Sequence, residues 1–210
     1  VQVRRVAVFA QSFFWLFCSI LPVAGQMLAD KIDSLENQLL IAEEDTVKLR
    51  LYDQLSYSYQ EIDPIVSRHY ALKGKELSEK IRNIDYRFES TLRLMQSYIY
   101  QTFYDSALMY GLEAEEIATQ LGVEKTVAIQ SELADLYRLT SQYDKAFKKK
   151  FRLLKIADSI EDQMNVAGIY LDLGELYRDQ NETDNAIEYL QKAYEAFKEL
   201  EVTRGMLASK

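Results

Sequence analysis

From Lys48 to Leu200 apolar residues recur every three to four positions, the spacing of helices that bury one face. The stretches come in pairs, joined at Asp63-Pro64, Tyr104-Asp105, Tyr143-Asp144 and Thr183-Asp184. An aspartate at such a junction can cap the free N–H groups that open the second helix of a pair. A further helix is expected over Met27 to Glu44, where Ile32, Leu35, Leu39 and Leu40 form one face that can cover the first pair.

The pairs are copies of one another. The clearest unit runs Tyr170-x-x-Leu173-Gly174-x-x-Tyr177, then Ala186, Leu190 and Ala193. Before it stands Gln130-x-x-Leu133-Ala134-x-x-Tyr137, then Ala146 and Leu153. Earlier still comes Thr91-x-x-Leu94-Met95-x-x-Tyr98, then Ala107, Gly111 and Ala114. A degenerate first unit is aligned through Leu51, Leu55 and Ser58, then Ser67, Ala71 and Gly74. Ser67, Ala107, Ala146 and Ala186 follow one another at intervals of 40, 39 and 40 residues. Small residues at such points let the two helices of a unit approach closely. Large ones (Leu133, Tyr137, Leu173, Tyr177) fill the space between units. One hairpin cannot bury its apolar face alone, so an all-α solenoid with a period of about 40 residues is expected.

The last unit resembles the signature of the tetratricopeptide repeat family, with Tyr170 where tryptophan is usual. The resemblance implies a right-handed α-α solenoid of helical hairpins, with units at about 48–87, 88–126, 127–166 and 167–206. The family's usual period is about 34 residues. Because 12 residues separate Gly174 from Ala186 and Ala134 from Ala146, the surplus is expected later, in the second helix or the loop after it. Lys150 stands where the family has a large apolar residue. Thr203 to Ala208 reads as the opening of a fifth unit, so the sequence is expected to be part of a longer chain.

Residues 1–25 form a different kind of segment. Arg4 and Arg5 precede the apolar run Val6–Ile20, Pro22 ends any helix, and Val23-Ala24-Gly25 offers small residues, which together read as a signal peptide cut before Gln26. An uncleaved membrane anchor is the competing reading, weakened by Gln11, Ser12 and Pro22. The expected location is therefore outside the cytoplasm, in the periplasm or cell envelope. Contact with the membrane is expected only through this segment or through a region beyond Lys210. Trp15 and the single cysteine, Cys18, belong to the segment, which leaves the solenoid at 26–210 without a disulfide or a cysteine metal site.

Charge and chemistry narrow the function. A net charge of −8, or −10 once Arg4 and Arg5 are removed, argues against nucleic acid and anionic membrane surfaces. There is no glycine-rich phosphate loop, and His69 is the only histidine, so neither a two-histidine metal site nor most catalytic triads can be built. Lys148-Lys149-Lys150 reads as a solvated helix face, with contact to an acidic partner peptide as the alternative. No catalytic residue, cofactor or metal is expected, and the chain is read as a non-enzymatic scaffold for a protein or peptide. The resemblance implies a groove lined by the first helix of each unit: Tyr52, Ser56 and Tyr59; Leu92, Gln96 and Ile99; Ser131, Asp135 and Arg138; Leu171, Glu175 and Arg178. Tyr52 and Tyr59 suit packing and groove exposure equally. The mixed signs of Asp135, Glu175, Arg138 and Arg178 disfavour a clamp for a terminal carboxylate. The pattern is similar to the exported repeat arrays of bacterial membrane signalling proteins; a free-standing adaptor in an envelope or secretion complex is the alternative.

Overall fold

The structure, a computed structural model, describes residues 26–202 together with 205, 208 and 209. The expected signal segment lies outside the described residues. Nine helices are seen among them, and no strand. Helix α1 covers residues 26–41. It precedes four hairpins: α2 (Asp45–Tyr59) with α3 (Pro64–Lys80), α4 (Ile84–Tyr100) with α5 (Tyr104–Leu121), α6 (Val123–Leu139) with α7 (Tyr143–Ser159), and α8 (Gln163–Asp179) with α9 (Thr183–Glu199). The hairpins stack in order as an α-α solenoid.

The 40-residue period is built from two 17-residue helices, as in α8 and α9, with short turns between them. The surplus over a shorter repeat thus lengthens both helices, and Tyr170 falls a full two turns inside α8 rather than near its start.

Most turns share one conformation. Arg82, Thr102, Ser141, Glu161, Asn181 and Glu201 have φ between 56° and 62°, the left-handed region. After each, the next N–H reaches back to the carbonyl five residues earlier, as Phe103 does to Tyr98 and Glu182 to Tyr177. This is the Schellman closure that satisfies the last carbonyls of a helix. The turn between α2 and α3 has no left-handed residue. Instead Asp63 accepts from the N–H groups of Ile65 and Val66 at 3.0 and 3.2 Å, ahead of Pro64. Asp63 is the only junction aspartate that caps as expected. Asp105, Asp144 and Asp184 lie inside the first turn, and their N-cap residues Phe103, Gln142 and Glu182 make no side-chain cap bond. Their charge still complements the helix dipole there.

Unit one is out of register with the others. Tyr59 stacks on Tyr70 at 5.9 Å, as Tyr98 does on Tyr110 at 5.5 Å and Tyr177 on Tyr189 at 5.3 Å. Tyr52 lies 6.3 Å from Tyr70, as Tyr170 lies 6.2 Å from Tyr189. The signature tyrosines of unit one are therefore Tyr52 and Tyr59, one residue after the Leu51 and Ser58 that the sequence alignment chose. Tyr59 stands eight residues before Ser67, whereas Tyr98 and Tyr177 stand nine before Ala107 and Ala186.

The core runs along the stack. Phe88, Met95, Ile117, Ile129, Leu133, Tyr137 and Leu173 belong to one buried cluster spanning units two to four. Helix α1 closes the near end, placing Ile32 and Leu35 on Leu51 and Leu55. At the far end Ala167, Ala193 and Phe197 form a smaller cluster, and Gly205 lies so close to Phe197 that an added Cβ would meet its ring at 2.4 Å. Of the expected fifth-unit opening, Gly205 and Ala208 are described, and both are helical.

Candidate functional site: the face of the first helices

Helices α2, α4, α6 and α8 present polar side chains to one another across the unit boundaries. Arg93 donates to Asp53 at 2.8 Å and to Gln96 at 3.1 Å. Gln96 donates on to Glu132 at 3.4 Å. Arg138 donates to Asp179 at 2.6 Å and to Glu175 at 2.5 Å. The result is a ladder from α2 to α8 whose rungs are ion pairs and a hydrogen bond from the Gln96 side-chain amide.

A cation from the outer layer enters this ladder. Lys150 springs from α7, is 2% exposed, and threads inward to Asp135 at 2.8 Å and Asp172 at 2.7 Å. Its aliphatic stem thereby fills the place of the large apolar residue, while the ammonium reaches the polar face. Lys149, meanwhile, pairs with Glu115 at 2.7 Å. The expected solvated lysine face is therefore wrong for two of the three lysines. Burial alone would lower the Lys150 pKa; the charges of Asp172 and Asp135 more than offset that and leave it raised. Burial raises Asp172, with Lys150 pulling the other way. Glu132 is also raised, first by burial and then by the charge of Asp135; its hydrogen-bond donor is the neutral Gln96 amide.

The structure brings together Gln96, Asp135, Arg138 and Glu175 from the expected groove set, with Arg178 exposed at the far end. It removes others. Ser56 is fully buried and faces its own hairpin partner: its Oγ lies 3.2 Å from that of Ser67, which donates to the Ser56 carbonyl at 2.8 Å. It cannot touch a ligand, because the register shift puts it at the close helix–helix contact. Tyr59 is a packing residue, bound through its hydroxyl to Glu36 of α1. Tyr52 is half-buried beside Tyr70. Leu92 and Ile99 pack on the main core and Leu171 on the terminal cluster. Ser131 lines a cleft of about 470 Å³ between α6, α7 and α8, whose walls include Val127, Leu153, Ile156 and Ile169. Val127 occupies the place that Phe88 fills in the preceding unit, one period earlier, and the smaller side chain leaves the space open.

Sequence reasoning missed Asp53, Arg93, Glu132 and Asp172, although Arg93, Glu132 and Asp172 recur at intervals of 39 and 40. It also missed Tyr57, which takes the place in unit one that Gln96 takes in unit two. The Arg93 guanidinium lies 4.8 Å above the Tyr57 ring. A second cleft, of about 310 Å³, opens beside it between α1, the end of α2 and the end of α4.

Residues 126–199, most of the last two units, match the family model of the tetratricopeptide repeat. No curated protein matches the chain. Among solved structures, it is similar to a signal transduction ATPase with a tetratricopeptide repeat sensor from Pyrococcus horikoshii (22% identity, TM-score 0.77), covering 90% of this chain and 30% of that one. It is also similar to kinesin light chain repeats of Podosopora anserina (14%, TM-score 0.73), covering 85% and 90%. A third is a Rap protein in complex with competence and sporulation factor (16%, TM-score 0.73), covering 89% and 54%. The fold is that of a tetratricopeptide-like solenoid.

Proposed function

We propose that this tetratricopeptide-like array is a non-enzymatic scaffold that holds a basic peptide or protein segment along α2, α4, α6 and α8. The observation that carries the reading is the charge of that face: the six carboxylates of Asp53, Glu132, Asp135, Asp172, Glu175 and Asp179 outnumber the four cations Arg93, Arg138, Lys150 and Arg178, the last 3.9 Å from Asp179. Glu132 and Asp172 have raised pKa values, so a ligand cation would relieve a cost already present in the fold. The Rap protein was solved in complex with competence and sporulation factor, which supports ligand capture by this type of array.

The test is selection of a random peptide display library on the full chain. Peptides rich in Lys or Arg should be enriched, and Glu132→Gln should weaken their binding at least tenfold without lowering the melting temperature. Enrichment of neutral or acidic peptides, or of basic ones indifferent to the substitution, would reject the reading.

The biological setting proposed is the extracytoplasmic sensor part of a bacterial signalling protein. The leader-like residues 1–25 support export, and the description of the Pyrococcus repeats as a sensor supports the role. A free-standing exported adaptor is the alternative. A hydrophobic span encoded beyond Lys210 would favour the sensor; a capping helix and stop would favour the adaptor. Export with a cleaved leader requires that the mature protein begin at Gln26 outside the cytoplasm. Intact Val1 in the soluble cytoplasmic fraction would reject it.

A further inference from the structure

The cleft beside Tyr57 contains two polar atoms that the fold leaves unanswered. Ser58 is 6% exposed, and its Oγ is buried with no hydrogen-bond partner among the described residues. The Gln60 Oε1 atom is in the same condition. Both residues line the cleft. A buried hydroxyl inside a helix ordinarily turns back to a carbonyl one turn earlier. Leaving it and a neighbouring amide oxygen unpaired costs stability that an alanine at position 58 would not incur.

The rest of the cleft defines what could answer them. Tyr57 and Tyr100 supply aromatic walls, and Leu28 and Ile62 apolar ones. The Tyr100 hydroxyl is already engaged: it donates to Glu61 at 3.2 Å. Lys31 and Glu61 also line the space, with opposite charges that cancel. The unmet groups are thus one hydroxyl, able to donate, and one carbonyl oxygen, able only to accept, in a space with no net charge. At about 310 Å³ the space exceeds what one water molecule fills.

We propose that this cleft is a recognition pocket for a primary carboxamide, the side chain of an Asn or Gln in a bound peptide. The amide N–H donates to Gln60 Oε1 and the amide oxygen accepts from the Ser58 hydroxyl. The stem lies between the rings of Tyr57 and Tyr100. A carboxylate would set a second acceptor against Gln60 Oε1, and an ammonium would offer no acceptor to Ser58, so neither completes both bonds. The pocket continues the polar ladder through Arg93 over Tyr57, and it rests on the preceding reading in so far as a peptide on that face would deliver the side chain.

The experiment uses the full chain, isotopically labelled, titrated with N-acetyl-glutamine methylamide and followed by amide chemical shifts. Shifts should be confined to residues near Leu28, to Tyr57–Ile62 and to Tyr100. The glutamate and alanine analogues should bind at least tenfold more weakly. Ser58→Ala should remove binding while leaving the melting temperature equal or higher, and Gln60→Leu should remove it too. No shifts up to the solubility limit, or equal shifts from the alanine analogue, would mean that the cleft holds water only and would overturn the proposal. A Ser58→Ala chain that is less stable than the wild type would also overturn it, because the hydroxyl would then have a partner in the fold. Displayed basic peptides that depend on Glu132 yet leave Ser58 undisturbed would keep the broader function and reject this pocket alone.

Discussion

The phenol of Tyr70, on α3, donates to Oε1 of Glu36, on α1, at 3.0 Å, and the same oxygen accepts from Tyr59 at 2.9 Å. One carboxylate thus fastens the leading helix to both helices of the first hairpin. Burial first, then this bond, pushes the Tyr70 pKa up to about 12. A raised folded value means that the neutral phenol stabilises the fold fully below 10.0 and that the benefit is lost as pH rises through about 12. Ultraviolet titration of Glu36→Gln should show Tyr70 ionising at lower pH than in the wild type, yet still above 10.0 because burial persists. Hydrogen exchange in α1 should quicken in the same variant. Unchanged titration and exchange would show that Glu36 does not hold α1.

Two glycines of α8 should respond in opposite ways. A Cβ at Gly174 would sit 2.7 Å from Leu190 Cγ and 3.1 Å from its backbone nitrogen, whereas a Cβ at Gly168 meets nothing within 4 Å. Gly174→Leu should cost on the order of 1–3 kcal/mol or more. Gly168→Ala should gain up to about 1 kcal/mol from helix propensity. Glu175→Ala breaks a half-exposed pair with Arg138 and should cost at most about 1 kcal/mol. Melting curves give the order directly; a Gly174→Leu chain as stable as Glu175→Ala would contradict the close approach of α8 and α9.

Glu132 should weaken the fold when charged. Its pKa is raised from 4.5 by burial and by Asp135, so its contribution to stability is full below 4.5 and is lost as pH climbs through the folded value. Glu132→Gln should therefore melt higher than the wild type at pH 7, and the difference should vanish on acidification below 4.5. A gain that persists in acid would mean that charge is not the cause.

Lys150→Met should be tolerated better than Lys150→Ala. Methionine keeps most of the stem volume, and Asp135 and Asp172, with side chains 59% and 40% exposed, can turn to water when the ammonium is gone. Alanine leaves a void beneath them, so it should be the less stable variant by roughly 2 kcal/mol. Equal melting temperatures would show that the stem contributes nothing to the core.

Much of the architecture is legible in sequence because the small residues Ala107, Ala146 and Ala186 recur where two backbones must meet. That signal fails at Ser56, where the eye follows Leu51 and Leu55 while the structure follows Tyr52 and Tyr59. The cause is a spacing from Tyr59 to Ser67 that is one residue shorter than in the other units, and no hydropathy pattern records a turn's handedness. Lys150 is hard to read for another reason: its apolar stem and charged tip lie in different layers, and one letter stands for both. The polar ladder depends on which row of a helix faces its neighbour, and the longer helices place Arg93, Glu132 and Asp172 in that row beside the expected Gln96, Asp135 and Glu175.

The ladder also has a mechanical side. On the α2–α4–α6–α8 face the rungs between units include ion pairs only partly hidden from water, while the stack's core is held by apolar contact. Added salt weakens exposed rungs and leaves the core nearly untouched. The two sides of the array therefore answer differently to ionic strength, and a charged strand laid across the rungs would take over the contacts that salt loosens.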